Sequence, residues 1–477
     1  MSRPANADVR AGDPTGDPRR WRILGVSLVI GFMALLDVSV VNLAVPSMQQ
    51  GLDASTGTIQ WVVSGYALAF GLTLVAGGRI GDAYGRRRMM LLGLVGFTAA
   101  SAAVGLAPTA SLVIAARLVQ GATAGLLTPQ NSGLIQQLFT GRERGRAFGL
   151  FGLTVSISSA TGPVIGGLIL AVAGADDGWR YLFLINVPIG IVAFGFVLRL
   201  VPRREEAAGD DARIDVVGAV LLGLTVLAVL YPIVSVEGGA DWRVLIVLLA
   251  PPLAWTFVWW ERRIVRLGRP PLLDVSLLRR VPGYGGGLAI GTLYFTGFTG
   301  LLLVTSYHLQ DALGFGPLAA GLLIAPFAVG SAISAPLAGR VVTDVGRRIT
   351  VTALATTIVG IVLAALLIPL ASPDRLWLVS VPCLFLAGLG GGAVVSPNMT
   401  LTLAEVPPRM GGAAGGAVQT GQRVGSSVGA AVLMTVYSVG SAHLASGSAL
   451  RLALLTGVVL LLGALTMAIR DWRGSLG

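Results

Sequence analysis

Two ionisable side chains stand where water is scarce. Asp37 lies in LLDVSVVNLAVP (35–46), inside an apolar run from about Trp21 to about Ser47 that holds no other acid and no base after Arg22. Arg117 opens RLVQGATAGLLTP (117–129), again in an apolar run with no acid near it in sequence. A charge deep in hydrocarbon costs roughly 2.5–3.5 kcal/mol on insertion scales, so each is a functional suspect by default. Burial raises a carboxyl pKa and a nearby cation lowers it, so such an acid can take up and release a proton. The helical face of Asp37 offers Met33, Ala34, Val40, Val41 and Ala44, none of which can pair with it. A partner must come from another helix or from water. Arg117 fits best by depth: the helical rise places it ~10 Å, and Asp37 ~15 Å, from the same end of the bundle. Snorkelling of Arg117 to that surface is the alternative.

A second polar group is Gln419, Gln422 and Arg423, spaced i, i+3, i+4 and so expected on one helix face. Gln60, Trp61, Tyr66, Gln130 and Asn131 are further candidates for the lining of a central cavity. Interhelical hydrogen bonding accounts equally well for any single Gln or Asn. Enzyme chemistry has little to work with. There are two His (His308 and His443, expected at surface ends of spans), one Cys (Cys383) and no HExxH spacing. All 34 basic residues are Arg, so a Walker-type phosphate loop, which needs Lys, is absent. No cofactor and no metal site are expected.

These residues are positioned by membrane helices. Hydrophobic residues make up 54% of the 477 and charged residues 12%, against about 25% charged in soluble domains. The expected class is an all-α polytopic membrane protein with fourteen spans, near 23–47, 59–80, 89–107, 111–133, 147–172, 181–201, 214–236, 243–260, 284–307, 318–340, 350–370, 376–402, 412–437 and 450–469. Arg is concentrated in alternate loops, about 28 residues against Arg180, Arg243, Arg375 and Arg451 on the other side. That bias argues for both termini in the cytoplasm of a cell inner (plasma) membrane protein and against nucleic-acid binding. Residues 1–20 read as a disordered tail rather than a signal peptide.

An internal repeat organises the spans. GRIGDAYGRR (78–87) and GRVVTDVGRR (339–348) recur at an offset of 261, and GATAGLLTPQN (121–131) weakly matches LGGGAVVSPNM (389–399). The expected layout is an N-terminal six-helix bundle (21–202), a linker carrying two extra helices (203–282), a C-terminal six-helix bundle (283–470) and a tail (471–477). The halves differ: Thr343 stands where the first half has Asp82, and Phe385 where it has Arg117.

With these motifs in view, the chain resembles the major facilitator superfamily, specifically its fourteen-helix drug–proton antiporters. GGRIGDAYGRRR (77–88) is similar to the family's loop between helices 2 and 3. The resemblance implies a conformational latch built from Gly78, Asp82, Gly85, Arg86 and Arg87, although Ala83 replaces a frequent Arg and leaves the partner of Asp82 open. RLVQGATAGLLTP matches the helix-4 motif, which implies a proton-transfer role for Arg117 beside Asp37. SSATGPVIGGLI (158–169) resembles the antiporter motif, with Gly162, Pro163, Gly166 and Gly167. WRYLFLINVPIG (179–190) is usual in the fourteen-helix group, and its Trp179 and Arg180 suit a membrane interface. The implied function is proton-driven export of a drug-like or natural-product molecule, cations among the options, by alternating access. The implied partners are that substrate, protons and lipid, in a monomer. The alternative on the same fold is a uniporter or importer of a small nutrient.

Overall fold

The computed structural model describes residues 18–174, 177–202, 214–236 and 242–474, and among them contains no strand. Fourteen helical segments are long and apolar enough to cross a membrane. The first six crossings are α1 (Arg20–Gly51), α2 (Thr56–Tyr84), α3 (Arg86–Leu106), α4 (Ala110–Leu138), α5 (Gly141–Ala173) and a broken pair, α6 (Gly178–Leu184) with α7 (Asn186–Leu200). Pro188 in the first turn of α7 has no N–H to continue the ladder, so the sixth crossing breaks at Ile185. The inserted pair is α8 (Val216–Val236) and α9 (Ala250–Arg266), the latter preceded by a 3₁₀ segment, Trp242–Leu249, and carrying Pro251 and Pro252 in its first turn. After the four-residue α10 (Leu277–Arg280), six more crossings follow: α11 (Tyr284–Tyr307), α12 (Pro317–Val345), α13 (Arg348–Leu367), α14 (Leu376–Thr402), α15 (Gly411–His443) and α16 (Ser446–Gly474). The expected count holds, and the helices extend several residues beyond the apolar cores. The expected tail at 1–20 falls outside the described residues except for its last three positions.

Alternate crossings put the starts of α1, α3 and α5 and the ends of α2, α4 and α16 at one end, with the Arg clusters. At this Arg-rich end the buried core of α1–α7 continues into Tyr284, Met399, Leu403, Val406, Ala414 and Val418. At the opposite end, a separate core of Leu36, Val40, Ile59, Val113, Trp179 and Phe183 draws only on α1–α6. The two groups of six crossings are thus joined tightly at one end.

The inserted pair rests on the flank of this seam. Leu230 and Val226 of α8 pack on Leu68 of α2, and Leu272 and Leu273 pack against Val75 of α2 and Ala417 of α15. Glu261 of α9, which the sequence reading passed over, is fully buried there. It accepts a bond from the Leu273 N–H at 3.4 Å, while Asp215 accepts one from the Trp260 indole at 2.8 Å. Two expectations fail on burial. Trp179 is buried in the core rather than at an interface, and His308 is buried against the Tyr437 hydroxyl, 3.0 Å away. A polar side chain near the end of an apolar run reads as exposed, but here each ring is enclosed by neighbouring helices.

Candidate functional site

Asp37 and Arg117 meet. Their side chains are each 1% exposed and form an ion pair between Arg117 Nη1 and Asp37 Oδ2. The other carboxylate oxygen accepts bonds from Gln120 Nε2 (2.9 Å) and Asn186 Nδ2 (3.1 Å). Gln120 also donates to Ser101 Oγ at 2.6 Å and accepts from Arg117 Nη1 at 2.8 Å. Arg117 Nε donates to the Val62 carbonyl at 3.1 Å, and its guanidinium lies 4.2 Å from the centre of the Tyr66 ring. Removing one partner of such a buried pair costs about 3–5 kcal/mol, because the other charge is left uncompensated. The depth argument therefore holds, and snorkelling of Arg117 is excluded by its 1% exposure.

Local sequence makes the approach possible. A Cβ at Gly121 would collide with the Tyr66 carbonyl, and one at Gly125 with Thr73 Oγ1, so α4 touches the α2 backbone directly. This brings Arg117, one turn from Gly121, within reach of Val62. On the other side of Asp37, Gly162 of α5 packs against Ser39, whose hydroxyl donates to the Ser158 carbonyl at 3.0 Å. Gly162 and Gly166 are buried, whereas Gly167 is exposed with open space before it. The side chain of Pro163 lies outside the described residues. Gln120 and Ser101 were not singled out from sequence, and Asn186 was placed within the sixth crossing without a role at this site. Gln120 stands three residues after Arg117, and that spacing is the one signal that could have found it.

The loop motif closes the Arg-rich end. Asp82 pairs with Arg86 at 2.9 Å, which answers the open question of its partner, and also accepts from the backbone N–H of Gly412 (3.1 Å) and Ala413 (2.9 Å). Those N–H groups belong to the first turn of α15, where the helix dipole favours a carboxylate. Arg86 reaches the carbonyls of Gly133 (2.5 Å) and Pro408 (2.8 Å) and Gln137 Oε1 (2.7 Å). Arg87 instead turns to the Leu198 carbonyl at 2.7 Å, inside its own group of helices. Gly85 has φ +96, a conformation that a side chain makes costly, and Gly78 admits no Cβ because the Gly412 carbonyl occupies the space. Gln136 to the Leu403 carbonyl (2.7 Å), Arg144 to the Ala404 carbonyl (2.8 Å) and Arg142 to Asp344 (2.9 Å) add to the closure. Nearer mid-membrane, the Ser156 and Ser331 hydroxyls of α5 and α12 lie 2.9 Å apart.

The remaining candidates do not form one group. Gln130 donates to the Gly77 and Leu126 carbonyls (3.0 and 2.8 Å) and Asn131 accepts from Ser27, so both tie helices together. Gln60 stays by Ser64 at 3.5 Å, and Trp61 leans on Tyr231 of α8 with ring centres 6.0 Å apart. Tyr66 belongs with Arg117 and donates to the Ala34 carbonyl at 3.2 Å. Gln422 faces the Met399 sulfur at 4.0 Å on α14. Gln419 and Arg423 face α2, where Arg423 lies 4.7 Å from the centre of the Phe70 ring. An apolar groove of about 510 Å³ beside α5 and α6, lined by Leu168, Ile169, Val172, Ala173 and Tyr181, contains none of these residues.

Comparison with known proteins agrees with this architecture. Residues 27–430 match the family model described as Major Facilitator Superfamily. The chain is 37% identical over 435 residues to the probable actinorhodin transporter of Streptomyces coelicolor, covering 90% of this chain and 74% of that protein. It is 35% identical over 489 residues to the puromycin resistance protein pur8 of Streptomyces alboniger, covering 96% and 92%. Among solved structures, the human organic anion transporter MFSD10 superposes with a TM-score of 0.67 at 17% identity, over 95% of this chain and 100% of that one, a likeness of fold alone. The protein is therefore a multi-pass membrane transporter and not an enzyme, a member of the Major Facilitator Superfamily of the fourteen-helix drug–proton antiporter type.

Proposed function

We propose that this chain exports a drug-like or natural-product molecule across the cell inner membrane in exchange for protons, with Asp37 as the proton carrier and both termini in the cytoplasm. One observation carries the reading: a carboxylate inside the membrane, held by Arg117, Gln120 and Asn186 from two other crossings. The proton gradient supplies the drive without a cofactor, and the monomer is the working unit. The two groups of six crossings, 21–202 and 283–470, rock against each other around a central cavity. In the state described, the Arg-rich, cytoplasmic end is shut by Asp82, Arg86 and their partners on 403–413.

Coupling follows from what each helix touches. A proton on Asp37 removes the charge that Arg117 neutralises and weakens the bonds donated by Gln120 and Asn186. α1 is locked to α5 at Ser39 and Gly162, with Ser39 two residues after Asp37. α5 runs on to Gly149 and Gly145, which press on Gly339 of α12 in the closed seam. The charge state of Asp37 is thereby transmitted along α5 to the closure. The antiporter motif is the joint in that path.

Inverted membrane vesicles, offered a panel that includes puromycin and actinorhodin, test the proposal. An imposed pH gradient drives accumulation, and Asp37→Asn abolishes the dependence on that gradient. Equal accumulation with and without a proton or voltage gradient overturns the mechanism.

A further inference from the structure

Arg423 has been left without a counterion. Each of the fully buried arginines among the described residues has one: Arg117 has Asp37, Arg86 has Asp82 and Arg347 has Asp471. Arg423 is half-buried in the middle of α15, forms no hydrogen bond or ion pair with the described residues, and rests on the Phe70 ring. One turn earlier, Gln419 is 6% exposed, and neither its amide nitrogen nor its amide oxygen has a partner. A buried, unsatisfied primary amide costs about 1–3 kcal/mol, and a lone cation in hydrocarbon costs more. Side chains kept at such a cost, side by side, indicate a group that arrives from outside.

Their place along the seam says where that group sits. Going outward from the closed end, α15 meets α2 through Gly412 on Gly78, then Gly416 on the Leu74 carbonyl, both backbone contacts with no room for a ligand. Gln419 and Arg423 come next on the same face, where α2 presents Phe70 and Tyr66, whose rings lie 5.9 Å apart. On the far side of Tyr66 is the Arg117 guanidinium, already neutralised by Asp37. The Asp37 carboxylate is thus fully engaged, and no acid among the described residues forms an ion pair with Arg423.

We infer that Arg423 and Gln419 are the recognition point for an anionic aromatic substrate, a carboxylate or phenolate whose charge pairs with Arg423 beside the buried Phe70 and Tyr66 rings. This deepens the export reading above and rests on it. A cationic drug would place like charge beside Arg423 in a medium of low dielectric, where repulsion is strong. An anion instead supplies the missing counterion, with Gln419 taking a neighbouring oxygen. Export of an anion and entry of a proton both carry positive charge inward, so an inside-negative potential speeds the cycle in both legs.

Equilibrium binding separates this claim from proton coupling, because no gradient is involved. The full-length protein, purified in detergent, is titrated calorimetrically with 1-hydroxy-2-naphthoate, anthraquinone-2-carboxylate and ethidium. The two acids bind and compete with each other. Arg423→Gln raises their Kd about 10- to 100-fold, Arg423→Lys raises it less, and Gln419→Leu raises it several-fold. If Arg423→Gln fails to run as a single species in gel filtration, the Lys and Gln419→Leu variants decide. The inference is overturned if these variants leave acid binding within twofold, if ethidium binds and the acids do not, or if no probe binds. It is also overturned if phosphatidylglycerol displaces the acids at lower concentration than they displace each other, which would assign the site to lipid. Arg423-dependent acid binding without gradient-driven flux would instead sink proton-coupled export and leave this inference standing.

Discussion

Arg86 and Arg347 occupy the same place in the internal repeat, yet they hold different things together. Arg86 and its acid, Asp82, reach across the seam to Pro408, Gly412 and Ala413. Arg347 stays within its own group: it pairs with Asp471 of α16 at 2.6 Å and donates to Asn398 at 2.8 Å and the Gly283 carbonyl at 3.3 Å. The repeat supplies Thr343 where the first half has Asp82, so Arg347 draws its acid from the last helix instead. The same loop therefore bridges the two groups in one half and braces its own group in the other, so on the proposed rocking only the first contact has to break. The repeat keeps the glycine turn, Gly85 and Gly346, and the arginine that follows it, and a single acid at one position decides whether the contact crosses the seam.

That contrast is open to attack at three strengths. Arg347→Ala carries the largest effect, about 3–5 kcal/mol of stability, because it strands Asp471 and two polar groups in a nearly closed site. A thermal unfolding scan in detergent should show the loss, and an unchanged midpoint would remove the brace. Asp82→Asn comes next, at about 3 kcal/mol, because the buried Arg86 loses its counterion while the Gly133 and Pro408 carbonyls still hold it. Its signature is conformational: a cysteine placed at Leu403, which packs into the first group at the seam, should label faster with a thiol reagent from the Arg-rich side. Labelling at the wild-type rate would mean that Asp82 does not hold the seam. Arg142→Ala, by contrast, breaks an exposed pair with Asp344 across the same seam and should cost under about 1 kcal/mol, with transport close to wild type. A large defect there would shift the closure from the buried groups to the surface.

Much of this was readable before any coordinates. Apolar runs and the Arg bias yield fourteen crossings because each crossing must satisfy its own backbone, which leaves hydropathy as a direct signal. Asp37 and Arg117 could be paired by depth because helical rise converts sequence position into height. Rotation about the helix axis is not readable in the same way. Ser101, Gln120 and Asn186 converge on Asp37 from three further elements, and nothing in an apolar background marks which side of α3 or α7 faces inward. The same blindness put His308 at a surface and grouped Gln422 with Gln419 and Arg423, although its amide turns to α14. It also hid Asp471, which sits in what reads as a polar tail and is in fact the counterion of Arg347.

The contact between Gly78 and Gly412 has a kinetic consequence. Where two helices meet through interlocked side chains, separating them means unthreading each one through a sequence of rotamers. Here the closest surfaces of α2 and α15 are bare backbone, Gly78 on Gly412 and the Leu74 carbonyl on Gly416. Smooth faces have no teeth to mesh, and no side-chain freedom is lost or regained when they part. If the two groups rock as proposed, this part of the seam parts without repacking, and the resistance to opening lies in the buried side chains of Tyr284, Leu403 and Val406 and in the charges that bolt it.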